Sequence, residues 1–280
     1  MTKFSQFTPQ NPLILVGCGK MGGAMLLGWL KGGLSVDGVI VVDPYPEAAR
    51  KMLPMLTEAS FVAKVSDLPE GVTPGIVVVA VKPQMMDQVM EDFKSVSCSP
   101  AVFLSVAAGK TIGYFENYLG RDTAIVRAMP NTPAAIGRGI TVGCVNGNVD
   151  EGQKTTCHDL LLAAGAVEWV ESEKLMDAVT AVSGSGPAYV FHLAEALAGA
   201  GEAIGLTPDL ARKLAQHTIC GAGALLDQSD QDATELRINV TSPGGTTEAA
   251  LNVLMGEDGL GKLMTKAVRA AHQRSKQLAD

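Results

Sequence analysis

The sequence predicts an α/β domain built on a doubly wound, buried parallel sheet, followed by an all-helical domain, with the division at 1–170 and 171–280. Two observations carry the prediction. Short valine- and isoleucine-rich runs recur through the first part, apolar on successive residues, as strands covered on both faces are. After about residue 171 no such run returns, and the remaining segments have helical spacing. Composition adds a third observation. Glycine contributes 31 of 280 residues, about 11% against a typical share of about 7%. No Gly-X-Y period accompanies it, so collagen is excluded. The surplus must serve turns, close backbone approaches or tight helix packing.

The strands are expected at Leu13–Val16, Val39–Val42, Ile76–Val81, Val102–Val106, Ala124–Val126, Ile140–Val145 and Val167–Val170. Helical patterns lie between several of them, at Gly23–Lys31, Pro46–Leu56 and Met85–Ser95, and this alternation indicates a doubly wound sheet. In the second part, helices are expected at 173–182, 187–204, 208–228, 231–240 and 246–278. Thr207 before Pro208 gives an N-cap followed by proline in the first turn. The helix at 187–204 carries Ala194, Ala196, Ala198, Gly199, Ala200 and Gly201. Such small residues let helix backbones approach closely. The apolar surplus indicates burial on more than one side, in an intimate dimer or within one subunit.

Charge and cysteine usage narrow the classes. Lys+Arg is 22 against Asp+Glu 29, a net charge of −7, with no basic run. Binding to nucleic acid needs clustered positive charge, so a nucleic-acid partner is not expected. Cys18, Cys98, Cys144, Cys157 and Cys220 form no C-x-x-C pair and are odd in number. Reduced thiols in the cytoplasm are expected, with neither a disulfide framework nor a metal site. Residues 13–30 have the length of a short membrane span, but Lys20 and five glycines argue against one. The run Leu13–Val16 is too short for a signal-peptide core. The sequon Asn239-Val240-Thr241 is read as chance.

Gly17-Cys18-Gly19-Lys20-Met21-Gly22 is a G-x-G-x-x-G between a strand and an apolar helix, the context that a dinucleotide fingerprint requires. Gly17 permits the tight turn, Gly19 lets the backbone approach a pyrophosphate, and Gly22 lets the helix pack on the strand. The helix N-terminus offers N–H donors and a positive dipole end. The next strand ends in Asp43, at the spacing of the carboxylate that binds the ribose of NAD and repels a 2′-phosphate. Arg50 either reaches such a phosphate or is a solvated surface residue. The residues alone lean to NADH. Ala80-Val81-Lys82-Pro83 and Ser105-Val106-Ala107-Ala108-Gly109 lie where later strands end, the ligand side of such sheets. Lys82 faces the cofactor ribose or is a surface lysine. Met129-Pro130-Asn131-Thr132-Pro133 is a rigid turn that either holds Asn131 against a nicotinamide or is only a loop.

Two further motifs lie in the helical part. Ser183-Gly184-Ser185-Gly186-Pro187 opens the long helix, as a site loop or a plain interdomain turn. Thr241-Ser242-Pro243-Gly244-Gly245-Thr246-Thr247 interrupts two helical segments and restarts a helix. It is either a carboxylate cradle of N–H groups and hydroxyls or a capped helix–helix loop. His158, His192, His217 and His272 fall in none of these motifs, and no H-E-x-x-H metal spacing occurs.

On GCGKMG (17–22), AVKP (80–83), SVAAG (105–109), MPNTP (129–133), DAVTAVSGSGPAY (177–189) and TSPGGTT (241–247), the chain resembles the pyrroline-5-carboxylate reductases. The motifs span nearly the whole chain in the family's order. The resemblance implies an α/β Rossmann-like N-terminal domain and an all-α C-terminal dimerisation domain. It implies a homodimer with sites completed across it, often assembled further into a decamer. It also implies reduction of the C=N bond of 1-pyrroline-5-carboxylate, a small-molecule substrate, to L-proline by NADPH or NADH. By the same resemblance the substrate carboxylate sits on the N–H groups of Gly244, Gly245 and Thr246, with Ser242 nearby. Thr247 contacts the ring nitrogen and assists proton delivery, and Glu173 and Asp230 are candidates for polar contacts. Many relatives carry residues suited to NADPH after the second strand, where this chain has Asp43-Pro44-Tyr45.

Two other classes compete. A 3-hydroxyacid dehydrogenase joins a similar loop to a helical domain, but needs a catalytic lysine on the long helix, and residues 187–211 contain none. A non-enzymatic nucleotide sensor would have no use for a carboxylate cradle.

Overall fold

The computed structural model describes residues 3–94 and 100–279. Cys98 and Ser95, the expected end of the third helix, lie outside the described residues. The chain forms two compact units. One comprises residues up to Gly184 together with those from Gln273 onward, and the other is Ser185–His272.

The first unit holds an eight-stranded sheet. Its strands are β1 (Leu13–Val16), β2 (Val39–Val42), β3 (Phe61–Val62), β4 (Ile76–Val79), β5 (Val102–Ser105), β6 (Ile125–Met129), β7 (Gly139–Val145) and β8 (Gly165–Trp169). They lie in the order β3-β2-β1-β4-β5-β6-β7-β8. The first six are mutually parallel in pairs. Contrary to the all-parallel expectation, β6 and β7 pair antiparallel. The physical reason is the link between them. Residues 130–138 hold only a 3₁₀ turn, Thr132–Ile136, whereas a parallel crossover needs a dozen residues or more. β8 returns parallel to β7 through the helix α5 (Glu151–Leu161). The two-residue strand β3 is too short to show in the sequence pattern, and β4 stops at Val79, which leaves Ala80 and Val81 to the turn beyond it.

Both faces of β1, β2, β4 and β5 are covered, which explains their continuous apolar runs, whereas the edge strand β8 alternates half-buried and exposed residues. Alternate residues Leu13, Leu15, Ile76, Val78 and Leu104 pack with Met25, Leu26 and Trp29 of α1 (Lys20–Lys31) and with Leu160 and Leu161 of α5. Trp29 Nε1 donates to the Leu160 carbonyl at 2.7 Å, so the buried indole is satisfied. On the opposite face Ile14, Val16, Val77, Val79 and Phe103 meet Met86, Met90 and Phe93 of α3 (Met86–Phe93). Phe115 of α4 (Ile112–Leu119) and Met176 of α6 (Met176–Val179) belong to the same cluster. The short α2 (Glu47–Met52) follows β2. The expected helix at 173–182 consists of a 3₁₀ turn, α6 and a π-helical turn over Thr180–Gly184.

The second unit contains α7 (Gly186–Ala203), α8 (Pro208–Gln228), α9 (Ala233–Asn239), α10 (Thr246–Leu254) and the start of α11 (Leu260–Ala279). The expected single helix over 246–278 is broken at Met255–Gly259, where the Gly259 N–H turns back to the Gly256 carbonyl. No residue of α7 is buried within the chain. Val190, Phe191, Leu193 and Leu197 are all exposed, so burial inside one subunit is not what its apolar composition serves. Among the described residues, no helix is long and apolar enough to cross a membrane.

Candidate active site

The sheet changes winding direction between β1 and β4, and the carboxyl ends of neighbouring strands at such a switch point form the ligand crevice of open α/β sheets. Gly17 leaves β1 there with φ +90°, a conformation that side chains disfavour. A Cβ on it would meet Val81 Cγ1 at 2.8 Å. Gly22 sits against the Gly17 carbonyl and Ala80, so it too admits no side chain. Gly19 is different: it is exposed and faces open space. It is the N-cap of α1, with no side chain capping the helix and no acidic residue in the first turn. The first N–H groups of a helix lack intrahelical partners. Here they open onto that space beside exposed Lys20, half-buried Met21 and buried Cys18. An anion-binding turn has these properties, and a dinucleotide pyrophosphate fits it.

Asp43, at the end of β2, is fixed by two backbone donors. The Cys18 N–H donates to Oδ2 and the Tyr45 N–H to Oδ1, both at 2.8 Å. Its carboxylate therefore ties the glycine loop to the second strand and holds a negative charge beside it. Burial, with that charge adding, pushes the Cys18 thiol up to about 11. Arg50, read as a phosphate contact or a solvated residue, has protein partners. Its guanidinium lies 3.7 Å from Glu47 and from Glu58 and over the Phe61 ring.

The remaining residues expected at the cofactor lie at or just beyond the ends of β4, β5 and β6. Half-buried Ala80 and Val81 back the glycine loop, and exposed Lys82 leads into a turn begun by Pro83. Ser105 is buried, its hydroxyl accepting from the Ala107 N–H at 3.3 Å, which shapes the loop after β5. Asn131 has a structural task, since its Oδ1 accepts from the Ile140 N–H at 3.0 Å and pins the β6–β7 turn. Met129 of the same motif packs against Gly184, leaving no room for a side chain there.

Glu173, a candidate for a polar substrate contact, is engaged in an ion pair. One carboxylate oxygen accepts from Arg127 Nη1 at 2.7 Å and from the Ile112 N–H at 2.8 Å. Arg127 is almost wholly buried. The arginine escaped the sequence reading, although a lone charge inside the apolar strand IVRAM signals a buried partner.

In the second unit, the TSPGGTT loop caps α10. Gly244 takes φ +71°. Its N–H donates to Glu248 Oε2 at 2.8 Å, and the Gly245 N–H to the Ser242 carbonyl at 3.0 Å. Of the N–H groups expected in the cradle, those of Gly244 and Gly245 thus have partners within the chain. Thr246 and Thr247 open the helix, and their N–H groups have no carbonyl within it. Ser242 and Thr246 are exposed and Thr247 is half-buried. Asp230 is exposed in the turn before α9. Glu248 was missed, although its position three residues after the N-cap is the capping-box spacing.

Comparison with known proteins places these motifs in a lineage. A family model described as pyrroline-5-carboxylate reductase dimerisation matches residues 173–278, and one described as NADP oxidoreductase, coenzyme F420-dependent, matches residues 13–109. The pyrroline-5-carboxylate reductase of Mycobacterium leprae is 41% identical, over 95% of this chain and 96% of its own. This chain belongs to the pyrroline-5-carboxylate reductase family. Among solved structures, the pyrroline-5-carboxylate reductase of Coxiella burnetii superposes with a TM-score of 0.85 at 35% identity, covering 97% of this chain and 99% of its own. The Plasmodium falciparum pyrroline carboxylate reductase, solved with NADP bound, gives 0.77 at 30% identity, covering 98% and 100%. In this pyrroline-5-carboxylate reductase family member, the helices α7–α11 are the region that the dimerisation model matches, and their exposed apolar side chains are those of an oligomer.

Proposed function

We propose that this chain reduces 1-pyrroline-5-carboxylate to L-proline with NAD(P)H, the last step of proline synthesis. One observation carries the reading: a glycine loop open to an anion at the sheet's switch point occurs in the same chain as the TSPGGTT helix start. A bound reduced nicotinamide would supply the hydride to the imine carbon, C2 of the 1-pyrroline ring and C5 of proline, and the ring nitrogen ends with a proton. The ring C=N bond is already electrophilic when protonated, so the protein's main contribution is alignment. The loop Gly17–Gly22 and the start of α1 hold the pyrophosphate. Ala80–Pro83, Ser105, Ala107 and Asn131 form or shape the rest of the cofactor side.

The N–H groups of Thr246 and Thr247, with the Ser242 hydroxyl, receive the substrate carboxylate. The Thr247 hydroxyl contacts the ring nitrogen and assists its protonation. Asp230 lends a polar contact, whereas Glu173 supports the fold. The minimal assembly is a homodimer, and sedimentation separates it from the decamer that the family resemblance implies. The setting is cytoplasmic, in keeping with free thiols at Cys18, Cys144, Cys157 and Cys220.

The cofactor proposed is NADH in preference to NADPH, because the Asp43 carboxylate stands where a 2′-phosphate would come and Arg50 is engaged with Glu47 and Glu58. Absorbance loss at saturating 1-pyrroline-5-carboxylate tests this with the two cofactors side by side. NADH is expected to give the higher kcat/KM, and Asp43→Ser to move the ratio toward NADPH by about tenfold or more. No oxidation of either cofactor would refute the enzyme reading. A wild-type preference for NADPH would refute the role of Asp43.

A further inference from the structure

The residues of α11 from Gln273 onward belong to the first unit, although the helix begins in the second. Ser275 is nine-tenths buried there, and its hydroxyl donates to Asp177 Oδ1 at 2.7 Å. A buried hydroxyl on a carboxylate is a charge-assisted bond, among the stronger kinds. One turn further on, the Leu278 carbonyl lies against Gly109, where an added Cβ would come within 3.3 Å of it. Gly109 has φ +77° and sits in the loop between β5 and α4.

The contacts close into a ring. Asp177 follows Glu173 by one helical turn. Glu173 in turn accepts from the Ile112 N–H at the start of α4. The loop Ser105–Lys110 is therefore held at its far end through Glu173 and passed closely at Gly109 by Leu278, on the helix that Ser275 fixes to Asp177.

We propose that the last turns of α11 are a latch that keeps the Ser105–Lys110 loop in its cofactor-facing shape, with Ser275 as a positioning residue acting through Asp177. The proposal rests on the reading of that loop as part of the cofactor site. Its chemistry is mechanical: Ser275 touches neither reactant, and its loss loosens only the cofactor side.

The test is NADH titration and steady-state kinetics on the full chain, run well below the melting temperature of each variant. Ser275→Ala is expected to raise the Kd and the KM for NADH roughly fivefold, the effect of losing about 1 kcal/mol. The KM for 1-pyrroline-5-carboxylate and the kcat at saturating NADH should stay within about twofold. Ser275→Thr should restore NADH binding. A stop codon replacing Gln277 keeps the Ser275 bond but removes Leu278, and gives a second route to the same NADH-only shift. Gly19→Val is the control for the cofactor reading, because it fills the open space that a phosphate needs. If it abolishes NADH binding while Ser275→Ala leaves the Kd within twofold, the latch is overturned and the cofactor site stands. If Ser275→Ala raises both KM values in parallel, the bond is a general fold contact and the latch is likewise overturned. If Gly19→Val binds NADH normally, the cofactor reading falls and takes the latch with it.

Discussion

Thr247, inside the TSPGGTT motif, and Glu173, outside the quoted motifs, are both expected at the substrate, yet their surroundings differ. Thr247 is half-buried at a helix start. Thr247→Ala is expected to lower kcat on the order of 100-fold, the weight of one positioned proton donor, with the KM for NADH little changed. Unchanged steady-state kinetics would reject that role. Glu173 pairs with a nearly buried arginine. Glu173→Ala should cost about 2–3 kcal/mol of unfolding free energy, because it strands Arg127; the partial exposure of Glu173 keeps the loss at the low end for buried pairs. Chemical denaturation measures it, and the double replacement Arg127→Met/Glu173→Leu should recover most of the loss. The Cys18 thiol ionises only near pH 11, and the thiolate is the nucleophile. Its alkylation, followed on its own peptide by mass spectrometry, should climb only as the pH approaches 11; a half-maximal rate near pH 9 would contradict the burial argument. Gly17, Gly19, Gly22 and Asp43 were legible in the sequence because their spacing is local. The Arg127–Glu173 pair was not, since its members stand 46 residues apart and only the fold joins them.

At the scale of elements, β1, β2, β4 and β5 were readable because a strand covered on both faces must be apolar at every position. The reversal at β7 leaves no trace in composition and is visible only in the shortness of the link after β6. The break before α11 was hidden because Gly256-Glu257-Asp258-Gly259 interrupts the helix without disturbing its apolar period. The loop before α10 shows the same limit. Its sequence announces a helix start, but only the φ of Gly244 lets Glu248 reach back and occupy one of the N–H groups. The helical glycines raise a different matter. A Cβ placed on Gly199, Gly221 or Gly223 would meet nothing within 4 Å in the single chain, and glycine costs a helix about 1 kcal/mol relative to alanine. Close packing against a second copy would offset that cost. Gly199→Leu should therefore leave the helical content of the chain intact while shifting sedimentation toward monomer. A variant that sediments as wild type would place Gly199 outside the interface.

For the whole molecule, the exposed apolar residues of α7–α11 tie stability to association. Obligate oligomers gain stability with protein concentration, so the melting temperature should rise measurably over a hundredfold concentration range. A constant value would mean that the helical unit is stable alone. The two units also have unequal claims on the order of the chain. The first is discontinuous: its sheet comes from residues before Gly184, yet the residues from Gln273 onward, which contribute Ser275 and Leu278, are made only after the entire helical unit. Domains emerging from the ribosome usually fold as each is completed. Here the sheet of the first unit emerges early, but Ser275 and Leu278 reach Asp177 and Gly109 only after translation has passed through α7–α10. Synthesis thus couples two qualities that a cell would otherwise have to inspect separately. A chain that stops short in the helical unit lacks both part of α7–α11 and the residues that reach Asp177 and Gly109.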